Sequence, residues 1–229
     1  MAEILVREVA HRYGDREVLR GIDLELTQHR IGIVGGNGSG KSTLARMING
    51  LVVPTTGRVT VDGLDTRREG ARVRRRVGFV FTDPDAQIVM PTVAEDVAFS
   101  LRRSGSSRAE VADRVAQALA RVGLADHAHH PAHLLSGGQK QLLAITSVLV
   151  TEPDVLVCDE PTTLLDARNS RHITRLLAAL PQQVVMVTHH LHLLDGFDRV
   201  IVLDEGAVVA DGPAPDALAR YDALIGGPS

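Results

Sequence analysis

Apolar positions follow two different rhythms along this chain. From Ile4 to Val9 and from Val18 to Leu26 they come in short β-like runs, and Gly14-Asp15 between them is a turn signal, so two strands are expected. Ile31-Gly32-Ile33-Val34 is a continuous apolar run that leads straight into Gly35, as a buried strand does. Lys41 to Asn49 then reads as a helix, stopped by Gly50. Pro54-Thr55-Thr56-Gly57 is a turn, and Arg58 to Val61 and Val77 to Phe81 are further strands.

The middle of the chain changes period. Thr92 to about Arg103, Ser107 to Val122 and Gln139 to about Val150 read as helices. Ser107 with Glu110 has capping-box spacing, Val111, Val115, Leu119 and Val122 share one face, and Gly123 is a stop signal. The alternation then returns. Val155 to Cys158, Val184 to Val187 and Val200 to Leu203 are apolar strands. Asp166 to Leu180 is a helix ended by Pro181, and His190 to Leu194 is a short helix. Apolar strands alternating with helices argue for a parallel sheet, and the all-helical stretch reads as an inserted subdomain. The tail Gly226-Gly227-Pro228-Ser229 is expected to fray.

Composition narrows the possibilities. The 229 residues suffice for one large domain or a domain with a subdomain. A net charge of −3 does not fit a basic nucleic-acid binder, and with 3% aromatics and no Trp a base-stacking platform is not expected, so no nucleic-acid partner is predicted. The single cysteine, Cys158, rules out an intrachain disulfide and reads as a small buried hydrophobe in a reducing compartment. Met1-Ala2-Glu3-Ile4 lacks the basic start and long apolar stretch of a signal peptide. No apolar run reaches the roughly 18 residues of a membrane span, so any work at a membrane would go through partners.

Gly35-Gly36-Asn37-Gly38-Ser39-Gly40-Lys41-Ser42 matches the phosphate-binding P-loop pattern in full, between a predicted strand and a predicted helix. Glycines let the backbone curl so that successive N–H groups point at phosphate oxygens, and the helix start adds about half a positive charge. Lys41 is expected to neutralise β- and γ-phosphate charge. Ser42 is expected to ligate Mg²⁺, with Thr43 nearby. Val155-Leu156-Val157-Cys158-Asp159-Glu160 places two acids at the carboxyl end of a strand, the edge at which a P-loop also lies. Asp159 is suited to hold Mg²⁺ through water, and Glu160 to polarise an attacking water.

Leu135-Ser136-Gly137-Gly138-Gln139 supplies the third motif. A serine and two glycines ahead of a helix form a second anion site, which makes sense if it reaches across to another copy. With the two motifs above, it resembles the ATP-binding cassette ATPases over nearly the whole chain. That resemblance implies an α/β fold: a P-loop NTPase (RecA-like) core with a parallel sheet, an N-terminal antiparallel β portion and an inserted α-helical subdomain. The expected division of this single ATPase domain is 1–85 and 151–229 for the nucleotide-binding core and 86–150 for the helical subdomain. It also implies a head-to-tail dimer with two ATP molecules between the copies, each contacted in trans by Leu135 to Gln139.

Further positions fit the same resemblance. Tyr13 stands where the family has an aromatic that stacks on adenine. His189 matches the histidine that contacts the γ-phosphate and orients the catalytic groups, so Glu160, His189 and Lys41 form the expected catalytic set. Asp166 matches the loop that signals across the dimer. Two departures stand out. Thr82 occupies the place of a glutamine that carries an amide to Mg²⁺; its shorter side chain reaches the metal only through water or a shifted loop, and Gln87 lies too far along to replace it. The dimer-signalling loop reads Thr163-Leu164-Leu165-Asp166, where the family has smaller residues, which points to altered packing across the dimer.

Asp83-Pro84-Asp85-Ala86-Gln87-Ile88, followed by Pro91-Thr92-Val93-Ala94-Glu95-Asp96-Val97-Ala98-Phe99, resembles the energy-coupling-factor branch. That branch takes up vitamins or transition-metal ions such as biotin, cobalt or nickel. Implied partners are a transmembrane coupling subunit, a membrane-embedded substrate-capture subunit and a second ATPase, with the chain peripheral on the cytoplasmic face of the cell membrane. The short C-terminus looks most like the ATPase of a biotin unit.

His127, His129, His130 and His133 suggest a metal cluster, but no cysteine joins them, Pro131 breaks any shared helical face, and a polar loop feeding the Ser136 motif accounts for them. His190 and His192 read as solvated. The run Arg67, Arg68, Arg72, Arg74, Arg75 and Arg76 reads as a solvated helix before the next strand. The alternative function, a soluble cassette ATPase acting on nucleic acid or ribosomes, usually comes with two fused cassettes or long coiled-coil insertions; this chain has neither. A small-molecule kinase would leave the Ser136 motif unaccounted for.

Overall fold

The computed structural model describes residues 1–226; Gly227, Pro228 and Ser229, most of the tail expected to fray, lie outside the described residues. The chain divides into two compact units. One comprises Met1–Phe79, Asp154–Glu160 and the residues from Leu180 onward, and the other Val80–Pro153 and Pro161–Ala179.

The first unit begins with an antiparallel sheet of β1 (Ile4–Tyr13), β2 (Arg16–Leu26), β4 (Thr56–Val61) and β5 (Leu64–Asp65), in the order β2-β1-β4-β5. In both β1 and β2 alternate side chains are buried, as for strands with one face on a core. The hairpin is longer than the alternation predicts and closes at Tyr13 and Arg16, because Gly14 takes the left-handed conformation (φ 58°) that a tight turn needs.

The second sheet has the order β10-β9-β3-β8-β7-β6. Here β3 is Arg30–Gly35, β6 Val77–Val80, β7 Val155–Asp159, β8 Gln183–Val187, β9 Arg199–Asp204 and β10 Ala207–Gly212. β7, β8, β3 and β9 run parallel, and β10 returns antiparallel to β9. Every residue of β3, β7 and β8 is buried, which is why those stretches carry no polar alternation. α1 (Lys41–Ile48) packs against both sheets, and Leu44, Met47 and Ile48 are fully enclosed with Ile4, Leu19, Ile31 and Ile33. α2 (Gly70–Arg76) is the arginine-rich helix; Val73 is its buried residue, and Arg76 holds Asp62 and Asp154, both at 2.7 Å. β10 and the C-terminal helix α7 (Ala214–Ile225) were not expected from the sequence.

The second unit is helical: α3 (Val93–Ser100), α4 (Arg108–Arg121), α5 (Gly137–Leu149) and α6 (Ala167–Ala178). Capping boxes open three of them, Thr92 with Glu95, Ser107 with Glu110 and Ser136 with Gln139. On α4, Val115 and Leu119 are buried as the periodicity requires. α3 stops at Ser100 rather than near Arg103, because the Leu101 N–H already bonds to the Ala98 carbonyl and the turn tightens. α6 ends at Ala178 rather than Leu180, since the residue before Pro181 is pushed out of the α region. Asp166 is the N-cap of α6 rather than its first turn, and accepts from the Asn169 N–H at 2.8 Å.

Candidate active site

The first unit assembles an anion cradle at the end of β3. Gly35, Gly38 and Gly40 all have positive φ (148°, 80° and 101°). A Cβ at Gly35 would lie 2.0 Å from the Leu203 carbonyl oxygen, and one at Gly40 2.8 Å from that of Val18, so neither position admits another residue. Lys41 folds back along the loop, its Nζ donating to the carbonyls of Gly35 at 2.9 Å and Gly36 at 2.8 Å. Burial lowers its pKa, while Glu160 and Asp159 hold it up. The Ser39 hydroxyl is buried beneath the loop and has no hydrogen-bond partner among the described residues. Gly36 and Asn37 are exposed, and Thr43 is buried in the first turn of α1.

At the end of β7, the Ser42 hydroxyl donates to Asp159 Oδ1 at 2.7 Å, and Arg46 Nη2 lies 3.3 Å from Asp159 Oδ2. Burial raises the Asp159 pKa; the Ser42 bond, Arg46 and Lys41 pull it back. A hydroxyl and a carboxylate side by side, both hard oxygen donors, beside a loop that cradles phosphates, fit a Mg²⁺ ion held by few protein ligands. Glu160 has φ 53°, a left-handed conformation that is unfavourable for a side chain with a Cβ, and its N–H is fixed on the Val187 carbonyl at 2.9 Å. Its carboxylate meets His189 Nδ1 at 2.9 Å. His189 is in turn ring-packed on His190 at 4.0 Å, and burial lowers the His190 pKa.

Five predicted residues are thereby joined: Ser42 with Asp159, Glu160 with His189, and Lys41 within electrostatic reach of both acids. Tyr13 is half exposed at the end of β1, its ring edge-on to buried His11 at 4.5 Å. Sequence reasoning missed Arg16, whose guanidinium lies 3.2 Å from where a Cβ on Gly38 would be, and Arg46 on Asp159. A basic residue just past the Tyr13 turn was the available signal for the first.

In the second unit, Leu135 is buried while Ser136 and Gly137 are exposed at the start of α5. A Cβ on Gly137 would meet nothing within 4 Å, whereas one on Gly138 would come within 2.4 Å of Asn169 Cγ, so the Asn169 side chain would have to move. Gln139 accepts from the Ser136 N–H at 2.9 Å. Asp166 also accepts from the Asn169 side chain, at 3.0 Å. Thr82 is half-buried just past β6. Gln87 is not idle: its Oε1 accepts from the Phe81 N–H at 3.2 Å and its amide donates to the Ala144 carbonyl at 3.1 Å. Among the described residues no group of three or more His, Cys, Asp or Glu is arranged to hold a metal ion.

The family model described as ABC transporter matches residues 19–163. The chain belongs to that family. It is 49% identical over 209 residues to the biotin transport ATP-binding protein BioM of Rhizobium etli, covering 91% of this chain and 93% of that one. To the energy-coupling factor transporter ATP-binding protein EcfA1 of Symbiobacterium thermophilum it is 43% identical over 237 residues, covering 96% and 83%. Among solved structures, cbiO1 of Clostridium perfringens, part of the ABC transporter complex cbiONQ, superposes with a TM-score of 0.83 at 33% identity, covering 96% of this chain and 94% of that chain. A dimeric post-hydrolysis structure of the ATP-binding cassette MJ0796 bound to ADP and Pi superposes at 0.82 with 29% identity, covering 92% and 98%. The chain is thus a transporter ATPase of α/β fold. No helix of the described residues is long and apolar enough to cross a membrane.

Proposed function

We propose that this chain is the ATP-hydrolysing subunit of an energy-coupling-factor transporter, powering uptake of a vitamin, with biotin the leading candidate, or of a transition-metal ion such as cobalt. The likeness to BioM and EcfA1 supports the branch. One observation carries the chemistry: Ser42 on Asp159 and His189 on Glu160 form adjacent pairs beside the P-loop.

In this reading Gly35 to Thr43 wrap the phosphates of ATP, the loop N–H groups donate to them, and Tyr13 stacks on adenine. Ser42 and Asp159 would hold Mg²⁺, which would neutralise charge on the phosphate oxygens. Glu160 accepts a proton from the attacking water, while His189 holds that carboxylate in place and Lys41 offsets charge developing on the γ-phosphate. Leu135, Ser136, Gly137, Gly138 and Gln139 of a second copy close the site, and Asp166 relays its state between copies. Membrane partners dock near Thr92. An apolar cavity of about 540 Å³ lined by Thr92, Ala98, Val111, Val115 and Leu119 supports that placement.

The test is Glu160→Gln. It should keep ATP binding, slow hydrolysis by about 100-fold or more, and give an ATP-dependent dimer by light scattering, with and without Mg²⁺. Adding Ser136→Arg should abolish the dimer. Hydrolysis that persists in Glu160→Gln would overturn the catalytic assignment. For the cargo, cells lacking the gene should lose uptake of labelled biotin; loss of cobalt uptake alone would select the metal-ion reading.

A further inference from the structure

The side chain of Gln139 is engaged at both ends. Its Oε1 accepts from the Ser136 N–H at 2.9 Å, and its Nε2 lies 3.0 Å from Nε2 of His127, twelve positions earlier in the chain. The first bond decides the second. An amide whose oxygen is committed to Ser136 offers only N–H at its other end, so the facing imidazole nitrogen must supply a lone pair. Nε2 of His127 is therefore the acceptor of this pair, and Nδ1 is its other ring nitrogen. That Nδ1 is buried and has no hydrogen-bond partner among the described residues, with the His130 ring 4.9 Å away at 67°. An aliphatic side chain would fill this place without leaving a ring nitrogen unpaired. What it would not provide is the acceptor.

We propose that His127 is a positioning residue for the nucleotide contact made by the Ser136 turn. This rests on the reading of Leu135 to Gln139 as the part that touches ATP on a second copy. An amide can turn half a revolution and exchange its oxygen for its nitrogen. With His127 accepting, only one orientation is satisfied, the one that points Oε1 at the Ser136 N–H. Without the acceptor the amide loses one of its two anchors and is held by the Ser136 N–H alone. The capping box loosens. Ser136 Oγ loses the fixed place it has as acceptor of the Gln139 N–H at 3.3 Å, and the exposed start of α5 loses its register toward the phosphate.

The test compares His127→Leu, which fills the space without an acceptor, with His127→Gln, whose Oε1 restores one. ATP hydrolysis by the full chain is followed against protein concentration, and binding of a fluorescent ATP analogue reports on the single chain. His127→Leu should raise the protein concentration for half-maximal rate on the order of fivefold, the effect of one hydrogen bond, and leave analogue binding unchanged. His127→Gln should restore the original value. Thermal midpoints of both variants, read by circular dichroism, separate positioning from loss of fold. His127→Leu indistinguishable from the unchanged chain, or the two variants equally impaired, would overturn the proposal. Ser136→Arg is run alongside. If it too leaves hydrolysis untouched, or if the rate never depends on protein concentration, the partner-contact reading fails and takes the proposal with it. If Ser136→Arg abolishes hydrolysis while His127→Leu changes nothing, the role of His127 alone fails.

Discussion

Cys158 lies in β7, one position before the carboxylate that sits on Ser42, with none of its surface exposed. Burial, reinforced by the negative charge of Asp159, pushes its thiol pKa far up. The thiolate is the reactive form, so the native protein offers a reagent almost none of it. Raising the pH to about 9, enough to ionise most of an exposed thiol of pKa about 8.5, should leave Cys158 inert to a coloured disulfide reagent. Urea should release one full equivalent. Rapid labelling of the folded chain would contradict the burial. The same residue shows what single positions disclose in advance: an apolar run around a lone cysteine predicts burial correctly. Lys41, Ser42, Asp159 and Glu160 were each expected from a short motif, and His189 from the family resemblance. Their pairing was not, because Ser42 and Asp159 are distant in sequence and only the sheet brings them together. Arg16 and Arg46 lie in no motif; they gain importance from what they touch.

At the level of elements, Asp96 shows why a helix start can matter more than its propensity. It is a buried residue on α3, and its Oδ1 accepts from the backbone N–H groups of Val89 at 2.9 Å and Met90 at 3.1 Å. Oδ2 accepts from the Ser147 hydroxyl on α5 at 2.9 Å. One side chain thus ties the loop before α3 to two helices of the second unit. Asp96→Ala leaves buried donors without acceptors and should lower stability by about 2–4 kcal/mol, read as a lower urea midpoint. Asp96→Asn keeps one oxygen for the two backbone donors and can donate to Ser147, so it should cost much less. Equal losses in the two variants would mean that the hydrogen bonds are not what holds the loop. The Ser107–Glu110 capping box was legible because its two members lie three residues apart; Thr92–Glu95 and Ser136–Gln139, at the same spacing, were not read as such. β10 and α7 were missed for the opposite reason: Ala207–Gly212 has a weak apolar pattern and is a strand through its pairing with β9, and the pattern after Pro213 is short and interrupted by charge.

At the level of the whole chain, the change from strand rhythm to helix rhythm and back was enough to foresee an α/β protein with a helical insertion. Parallel strands β3, β7 and β8 are buried on both faces, so their sequence carries a simple apolar signal that a half-exposed strand would lack. The family resemblance implies two composite sites within one pair, which requires a two-fold arrangement that presents the same face of each copy. That geometry has a consequence that mixing can test. In a head-to-tail pair each site takes its P-loop from one copy and its Ser136 motif from the other. Lys41→Ala disables only the first half, and Ser136→Arg only the second. Each variant alone should be inactive. In a mixed dimer, however, the intact P-loop of the Ser136→Arg chain faces the intact motif of the Lys41→Ala chain. Because the mixed pair still closes around its one intact site, an equal mixture should recover part of the unchanged rate, about a quarter were pairing random and the sites independent, measured as released phosphate and rising with total protein concentration. If each site were instead complete within one chain, mixing two dead variants would yield nothing, and the composite site would have to be abandoned.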